Sequence, residues 1–142
     1  MNRYLLDTNA MGDLMNRRHE VHLRAAEARR RGADVGTCEP VVAELFAGVE
    51  NSATRDENLV VLRRTLAGLK CWPLDRRASE EFGRLFVALK RAGRLIEPID
   101  MLIAAIALAL GNCVVVTNDQ DFRSVPGLRV ESWRAETGAG TA

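Results

Sequence analysis

Apolar residues recur along this chain in two rhythms, short unbroken runs and three-to-four-residue spacings, and the two alternate. Tyr4-Leu5-Leu6 is a run that stops at Asp7, which predicts a strand over 3–6, and Thr8-Asn9 then offers capping side chains to a helix through Met11 and Leu14. A second helix is expected over 21–31, stopped by Gly32, followed by a brief strand over 34–37. Pro40 suits the first turn of a third helix, whose apolar residues are Val41, Val42, Leu45, Phe46 and Val49. Thr54 with Glu57 forms a capping-box pattern ahead of Leu59, Leu62, Leu66 and Leu69. Residues 71–74 read as an edge strand because Pro73 interrupts a ladder, and Asp75 can cap a helix whose buried side is Ala78, Phe82, Leu85, Phe86 and Leu89. Gly93 ends that helix, and Pro98 opens an apolar one that runs to Leu110 and closes at Gly111-Asn112. Cys113-Val114-Val115-Val116 has the unbroken, mostly β-branched character of a strand covered on both faces, and a last strand is expected over 128–131.

Strands alternating with helices predict a mainly parallel sheet with helices on both faces, an α/β domain. One domain over 1–134 is expected, with a Gly/Ala/Thr tail over 135–142 that lacks the means to order itself. In such sheets ligands bind beyond the carboxyl ends of the strands. Asp7 and Asp119 both fall there.

Composition narrows the class. With 142 residues, 47% hydrophobic content and 4 Pro, the chain suits one globular core. The run from Met101 to Leu110 is too short to cross a bilayer, for which about 20 residues are needed. The first residues contain no export signal, since Asp7 breaks the apolar run, so a cytoplasmic protein without a membrane span is expected. Cys38, Cys71 and Cys113 are widely separated and are read as reduced core thiols. Net charge is +1, but setting four carboxylates aside in one pocket leaves 15 acidic against 20 basic residues. Arginines bunch at Arg29-Arg30-Arg31, Arg63-Arg64 and Arg76-Arg77, where solvated helix faces are the ordinary reading and phosphate contacts the more specific one. His19 and His22 have no third ligand near them and are left out of any site.

Four acidic residues carry the candidate chemistry. Each has an ordinary alternative: Asp7 as a helix cap, Glu44 as a boundary residue reaching water, Asp100 as a first-turn charge facing the helix dipole, Asp119 as an Asx turn. Their joint placement is harder to dismiss, because an α/β fold can gather all four. Two unit charges about 4 Å apart repel by about 4 kcal/mol at an effective dielectric near 20, so such a cluster needs a cation or altered protonation. Oxygen ligands without clustered His or Cys favour magnesium, with manganese as an alternative. A bound metal of this kind lowers the pKa of water and polarises a phosphoryl oxygen, which makes phosphodiester hydrolysis chemically reasonable.

Leu5-Leu6-Asp7-Thr8-Asn9, Val42-Ala43-Glu44-Leu45 with Gly48, Asp100-Met101-Leu102-Ile103-Ala104-Ala105, and Thr117-Asn118-Asp119 with Phe122 occur in this order over nearly the whole chain. Together they resemble a PIN-domain ribonuclease of the VapC toxin group. The resemblance implies a three-layer α/β/α sandwich, magnesium-dependent endonuclease activity on RNA, a homodimer, and neutralisation by a cognate VapB-like antitoxin. By motif position it implies that Asp7, Glu44, Asp100 and Asp119 form the acidic quartet; the mechanism expected on that basis has Asp7, Asp100 and Asp119 holding magnesium, largely through waters, and Glu44 either completing the shell or orienting the attacking water. Thr8, Asn9, Thr117 and Asn118 match supporting polar positions. Glu97 stands where the family commonly has a small residue, and a helix cap is favoured over an added charge on the site rim. The fourth acidic position varies in the group, so Asp121 competes with Asp119 for it. A haloacid-dehalogenase-like phosphatase would need an Asp where Asn9 stands. A nuclease of RNA processing or DNA metabolism, or a catalytically silent nucleic-acid-binding module, are the other readings.

Overall fold

The computed structural model describes residues 2–135, so the tail expected over 135–142 lies, but for its first residue, outside the described residues. Five strands form one parallel sheet in the order β3-β2-β1-β4-β5. They are β1 (Arg3–Leu6), β2 (Asp34–Cys38), β3 (Lys70–Trp72), β4 (Cys113–Val116) and β5 (Arg129–Glu131). Six helices connect them: α1 (Thr8–Met15), α2 (Val21–Arg30), α3 (Glu39–Glu50), α4 (Arg55–Ala67), α5 (Arg76–Arg91) and α6 (Pro98–Leu110). The chain moves from β1 through β2 to β3 in one direction across the sheet and returns from β3 to β4 in the other, so the right-handed crossovers that parallel strands adopt set α1 to α4 on one face and α5 and α6 on the other, the expected three-layer architecture. Among the described residues no helix is long and apolar enough to cross a membrane.

The two central strands are apolar for a physical reason. Leu5 and Leu6 of β1, and Val114, Val115 and Val116 of β4, are buried between the helical layers. β1 and β4 pair in register from Arg3↔Cys113 to Leu6↔Val116, so both strands end at the same level. The chain then turns away in opposite directions, since β1 leads toward β2 and β4 leads toward β5. That divergence opens a crevice at the carboxyl ends, and Asp7 and Thr117 are the first residues beyond them. α6 forms the floor on the other face, with Ile103, Ala104, Ala105 and Ile106 buried.

Local signals were met differently in four places. The cap of α1 is Asp7, whose Oδ1 accepts from Ala10 N at 2.8 Å, while Thr8 is already helical. Thr54 does begin α4, but its hydroxyl accepts from Asn58 Nδ2 at 3.0 Å instead of from the backbone, so the capping box with Glu57 does not form. β3 covers residues 70–72 and stops before Pro73, which has no N–H to continue the ladder. Cys38 and Cys113 are buried as expected, whereas Cys71 is exposed on the edge strand, its thiol donating to Glu39 Oε1 at 3.2 Å. Asp75 caps α5 as expected, its Oδ1 accepting from Ala78 N at 2.9 Å.

Gly36 marks a close approach between strands. A side chain there would bring Cβ to 2.7 Å from Lys70 Cβ and closer still to the Lys70 carbonyl oxygen, across the Gly36↔Lys70 pair of β2 and β3. Gly36→Ala is therefore expected to cost about 1–3 kcal/mol in urea unfolding, as overpacking does. Amide exchange should rise first in β3, the edge strand. Unchanged stability and exchange would show that the two strands separate freely at this point.

Candidate metal-binding active site

The crevice contains a cavity of about 310 Å³ lined by Asp7, Thr8, Asn9, Glu44, Glu97, Ile99, Asp100 and Asp119. The four acidic residues expected to meet thus line one space, delivered by four separate segments. Asp7 enters from the end of β1, Glu44 from the second turn of α3, Asp100 from the first turn of α6, and Asp119 from the turn after β4.

Each is held locally. Asp7 is 4% exposed, and its carboxylate takes the Ala10 N–H at the start of α1, so helix capping and site membership coincide in one residue. Asp7 N in turn donates to Val116 O at 3.1 Å, stitching β1 to the end of β4. Glu44 is exposed, and its Oε1 accepts from the Thr8 hydroxyl at 2.5 Å, which gives Thr8 a defined supporting role. Asp119 makes the Asx turn anticipated for it, with Oδ1 accepting from Asp121 N at 2.9 Å, and it still lines the cavity.

The remaining candidates divide. Asn9 lines the cavity, while Thr117 is buried beneath it: Thr117 Oγ1 accepts from Asp119 N at 2.9 Å and its hydroxyl also steadies the Asp7 carboxylate. Asn118 faces away, its Oδ1 accepting from the Ser132 hydroxyl, so it braces the turn from the outside. Asp121 is exposed and does not line the cavity, because the turn uses its backbone N–H and leaves its side chain outward. Glu97 occupies the N-cap position of α6, but only its carbonyl oxygen takes a helix bond, from Met101 N at 3.0 Å. Its side chain makes no cap bond and lines the cavity, so the favoured capping role is corrected to a charge on the rim.

Two residues that sequence reasoning passed over also shape this end of the sheet. Thr37, fully buried at the end of β2, donates to Leu6 O at 2.8 Å and fixes the residue before Asp7. Asp13, 4% exposed on α1, pairs with Arg134 Nε at 2.9 Å and adds its negative charge to the field felt by Asp7. A polar side chain inside an otherwise apolar strand end and a charge on a buried helix face were the available signals.

The electrostatics follow from burial and like charge. Asp100 is pushed up to about 6, first by desolvation and then by the charges of Asp119, Asp7, Glu44 and Glu97. Asp7 is raised mainly by burial, an effect countered by its bonds from Thr117 and Ala10 and reinforced by Asp119 and Asp13. Among the described residues no Lys, Arg or His lines the cavity to offset five carboxylates. This oxygen-only, anionic set suits a hard divalent cation. Among the described residues, no three His, Cys, Asp or Glu side chains stand close enough to form a ready-made cage.

A family model described as PIN domain matches residues 4–128. The "Ribonuclease VapC2" of Haemophilus influenzae is 30% identical over 133 residues, covering 94% of this chain and 99% of that protein. A "tRNA(fMet)-specific endonuclease VapC" of Salmonella typhimurium is 33% identical over 90 residues, 63% of this chain and 68% of its own. Among solved structures, VapBC2 from Rickettsia felis bound to a DNA fragment from their promoter aligns with a TM-score of 0.85 at 27% identity, over 92% of this chain and 98% of that one. The PIN-domain match over most of the chain, together with the Haemophilus relative aligned along nearly its whole length, places the chain in the PIN-domain family and, within it, in the VapC group.

Proposed function

We propose that this protein is a magnesium-dependent endoribonuclease, the toxin of a toxin-antitoxin pair, which cuts cellular RNA to restrain translation and is held in check by a VapB-like antitoxin as a complex of toxin dimers in the cytoplasm. The observation that carries the reading is five carboxylates lining one cavity without a cationic side chain among the lining residues, at the switch point of a parallel sheet. Such repulsion is relieved either by protonation or by a cation, and at neutral pH, above the value of about 6 to which Asp100 is pushed, a bound cation is the effective remedy.

Asp7, Asp100 and Asp119 would hold the metal, largely through waters. When bound, magnesium supplies polarisation of a phosphoryl oxygen and a more acidic water. The chain's own groups do the rest. The Ala10 N–H fixes one oxygen of Asp7, and Asp121 N does the same for Asp119, so two carboxylates enter preorganised. Glu44 has one oxygen engaged by Thr8, which leaves the other to orient the attacking water and accept its proton. Attack of that water on phosphorus breaks one phosphorus–oxygen bond of the RNA backbone, and the leaving ribose oxygen is protonated by solvent.

Purified protein should cut RNA with magnesium present, and cutting should stop with chelator or with Asp7→Ala. The substrates should include tRNA(fMet), the RNA in the name of the Salmonella relative. Cleavage that persists in chelator contradicts the metal-dependent reading.

A further inference from the structure

We infer that the cavity between α1, α2 and α4 is a second nucleotide subsite, where Arg17, Arg29 and Arg64 receive a phosphate of the RNA whose backbone is cut at the carboxylate site. This inference rests on the ribonuclease reading and adds to it where the rest of the strand is held. The need for such a place is electrostatic. A cavity of five carboxylates repels a polyanion, and even a bound cation offers it only local relief. Affinity for RNA comes chiefly from lysine and arginine against phosphate, so the cations must lie elsewhere along the strand's path.

The second cavity has the required chemistry. It measures about 410 Å³, within the range of small-ligand sites. Arg17, Arg29, Arg64 and His22 line it, and no carboxylate does. Most arginines nearby are already neutralised: Arg24 pairs with Glu131, Arg30 and Arg31 with Glu27, and Arg134 with Asp13. Among the described residues Arg17, Arg29 and Arg64 form no ion pair with any carboxylate. Arg29 Nη2 donates to Gly68 O at 2.6 Å, which steadies its guanidinium against the end of α4 and leaves its other N–H groups for a ligand. His22 Nδ1 is buried in the wall without a hydrogen-bond partner, a polar group for which the free protein supplies no pairing. Leu14, Met15 and Val61 add apolar surface on which a ribose or base can rest.

Position agrees with chemistry. α1 has Asp7 at its N-cap and Met15, its last residue, in the wall of the second cavity. Eight helical residues span about 12 Å, so the two cavities are separated by a few nucleotides of extended RNA.

The test is binding of a labelled single-stranded RNA to the full chain across a salt series in chelator, where the metal-dependent reading expects no cleavage. The double variant Arg17→Ala with Arg64→Ala should lower the slope of log affinity against log salt by about 0.7, the share of the one phosphate contact that these side chains make on a single strand. Arg17→Lys with Arg64→Lys should keep most of the slope, which a packing role for these side chains would not predict. In cleavage, KM for long RNA should rise in the alanine variant, while kcat on a dinucleotide too short to span α1 stays unchanged. If wild type neither binds nor cuts RNA, the ribonuclease reading fails and the subsite with it. If wild type cuts RNA and the alanine variant matches it in slope and KM, the subsite alone is overturned, including the case where that variant instead loses an acidic peptide, which would make the cavity a protein-docking groove.

Discussion

Asp100→Asn is expected to lose RNA cleavage by roughly 10²–10³-fold, the scale seen when one preorganised charge-stabilising group is removed, and yet to leave the metal-free fold more stable. The two effects have one cause. The Asp100 carboxyl is half-buried beside four other acidic groups and holds its proton up to about 6, against an ordinary value of 3.8. A proton bound more tightly in the folded than in the unfolded state stabilises the fold while it is bound. Without metal, that contribution is present below about pH 4 and is lost as the pH rises through about 6. Asp7, raised in the same direction, adds to the loss. After allowing for the solvent that reaches the Asp100 carboxyl, the loss attributable to it is roughly 1–2 kcal/mol. Urea unfolding in chelator from pH 4 to pH 8 should show wild type weakening across this window and the asparagine variant weakening less. Adding magnesium at pH 7.5 should raise the stability of wild type, because a ligand that binds only the native state shifts unfolding by mass action, and should do much less for the variant. Full cleavage by Asp100→Asn, or a metal-free variant less stable than wild type at pH 7.5, would remove the basis for a cation held by repelling carboxylates.

The second large effect lies in the core. Phe122 is fully buried in the short 3₁₀ turn Gln120–Ser124 that follows Asp119, and its N–H donates to Asp119 O at 3.4 Å. Its ring anchors that turn to the body of the protein. Phe122→Ala should cost about 3–5 kcal/mol, the range for deleting a buried aromatic side chain. It should also depress cleavage at temperatures where the variant is still folded, because Asp119 loses the support that aims it into the cavity. Raising magnesium should not restore the rate if the carboxylate is misplaced. Phe122→Leu, which keeps most of the buried volume, should recover both properties in large part. A destabilised Phe122→Ala protein with wild-type cleavage would separate the turn from the site and leave Phe122 a packing residue only.

How legible the site was depends on the residue considered. Asp7 and Asp119 could be found because strand ends are marked by apolar runs, and a carboxylate immediately after such a run is placed by backbone geometry alone. Asp100 followed from a helix whose other residues are nearly all apolar. Glu97 was less accessible. At the start of a helix, capping by a side chain and projection into a neighbouring crevice look alike in one dimension, and the choice is made by what packs opposite. Asp121 was ambiguous for a related reason, since an Asx turn at Asp119 turns the next but one side chain away from the crevice.

The sequence by itself determined the alternation of strands and helices, the apolar character of β1 and β4, and the family to which the chain belongs, because all three are written in local pattern and ordered motifs. Only the tertiary structure decided that Asp7 both caps α1 and lines the cavity, that Thr37 and Thr117 brace it from neighbouring strands, that Asp13 meets Arg134, and that Arg17, Arg29 and Arg64 share a second cavity. Those contacts join residues far apart in the chain, and their energies depend on burial and distance, which exist only once the strands have paired and the helices have closed over them.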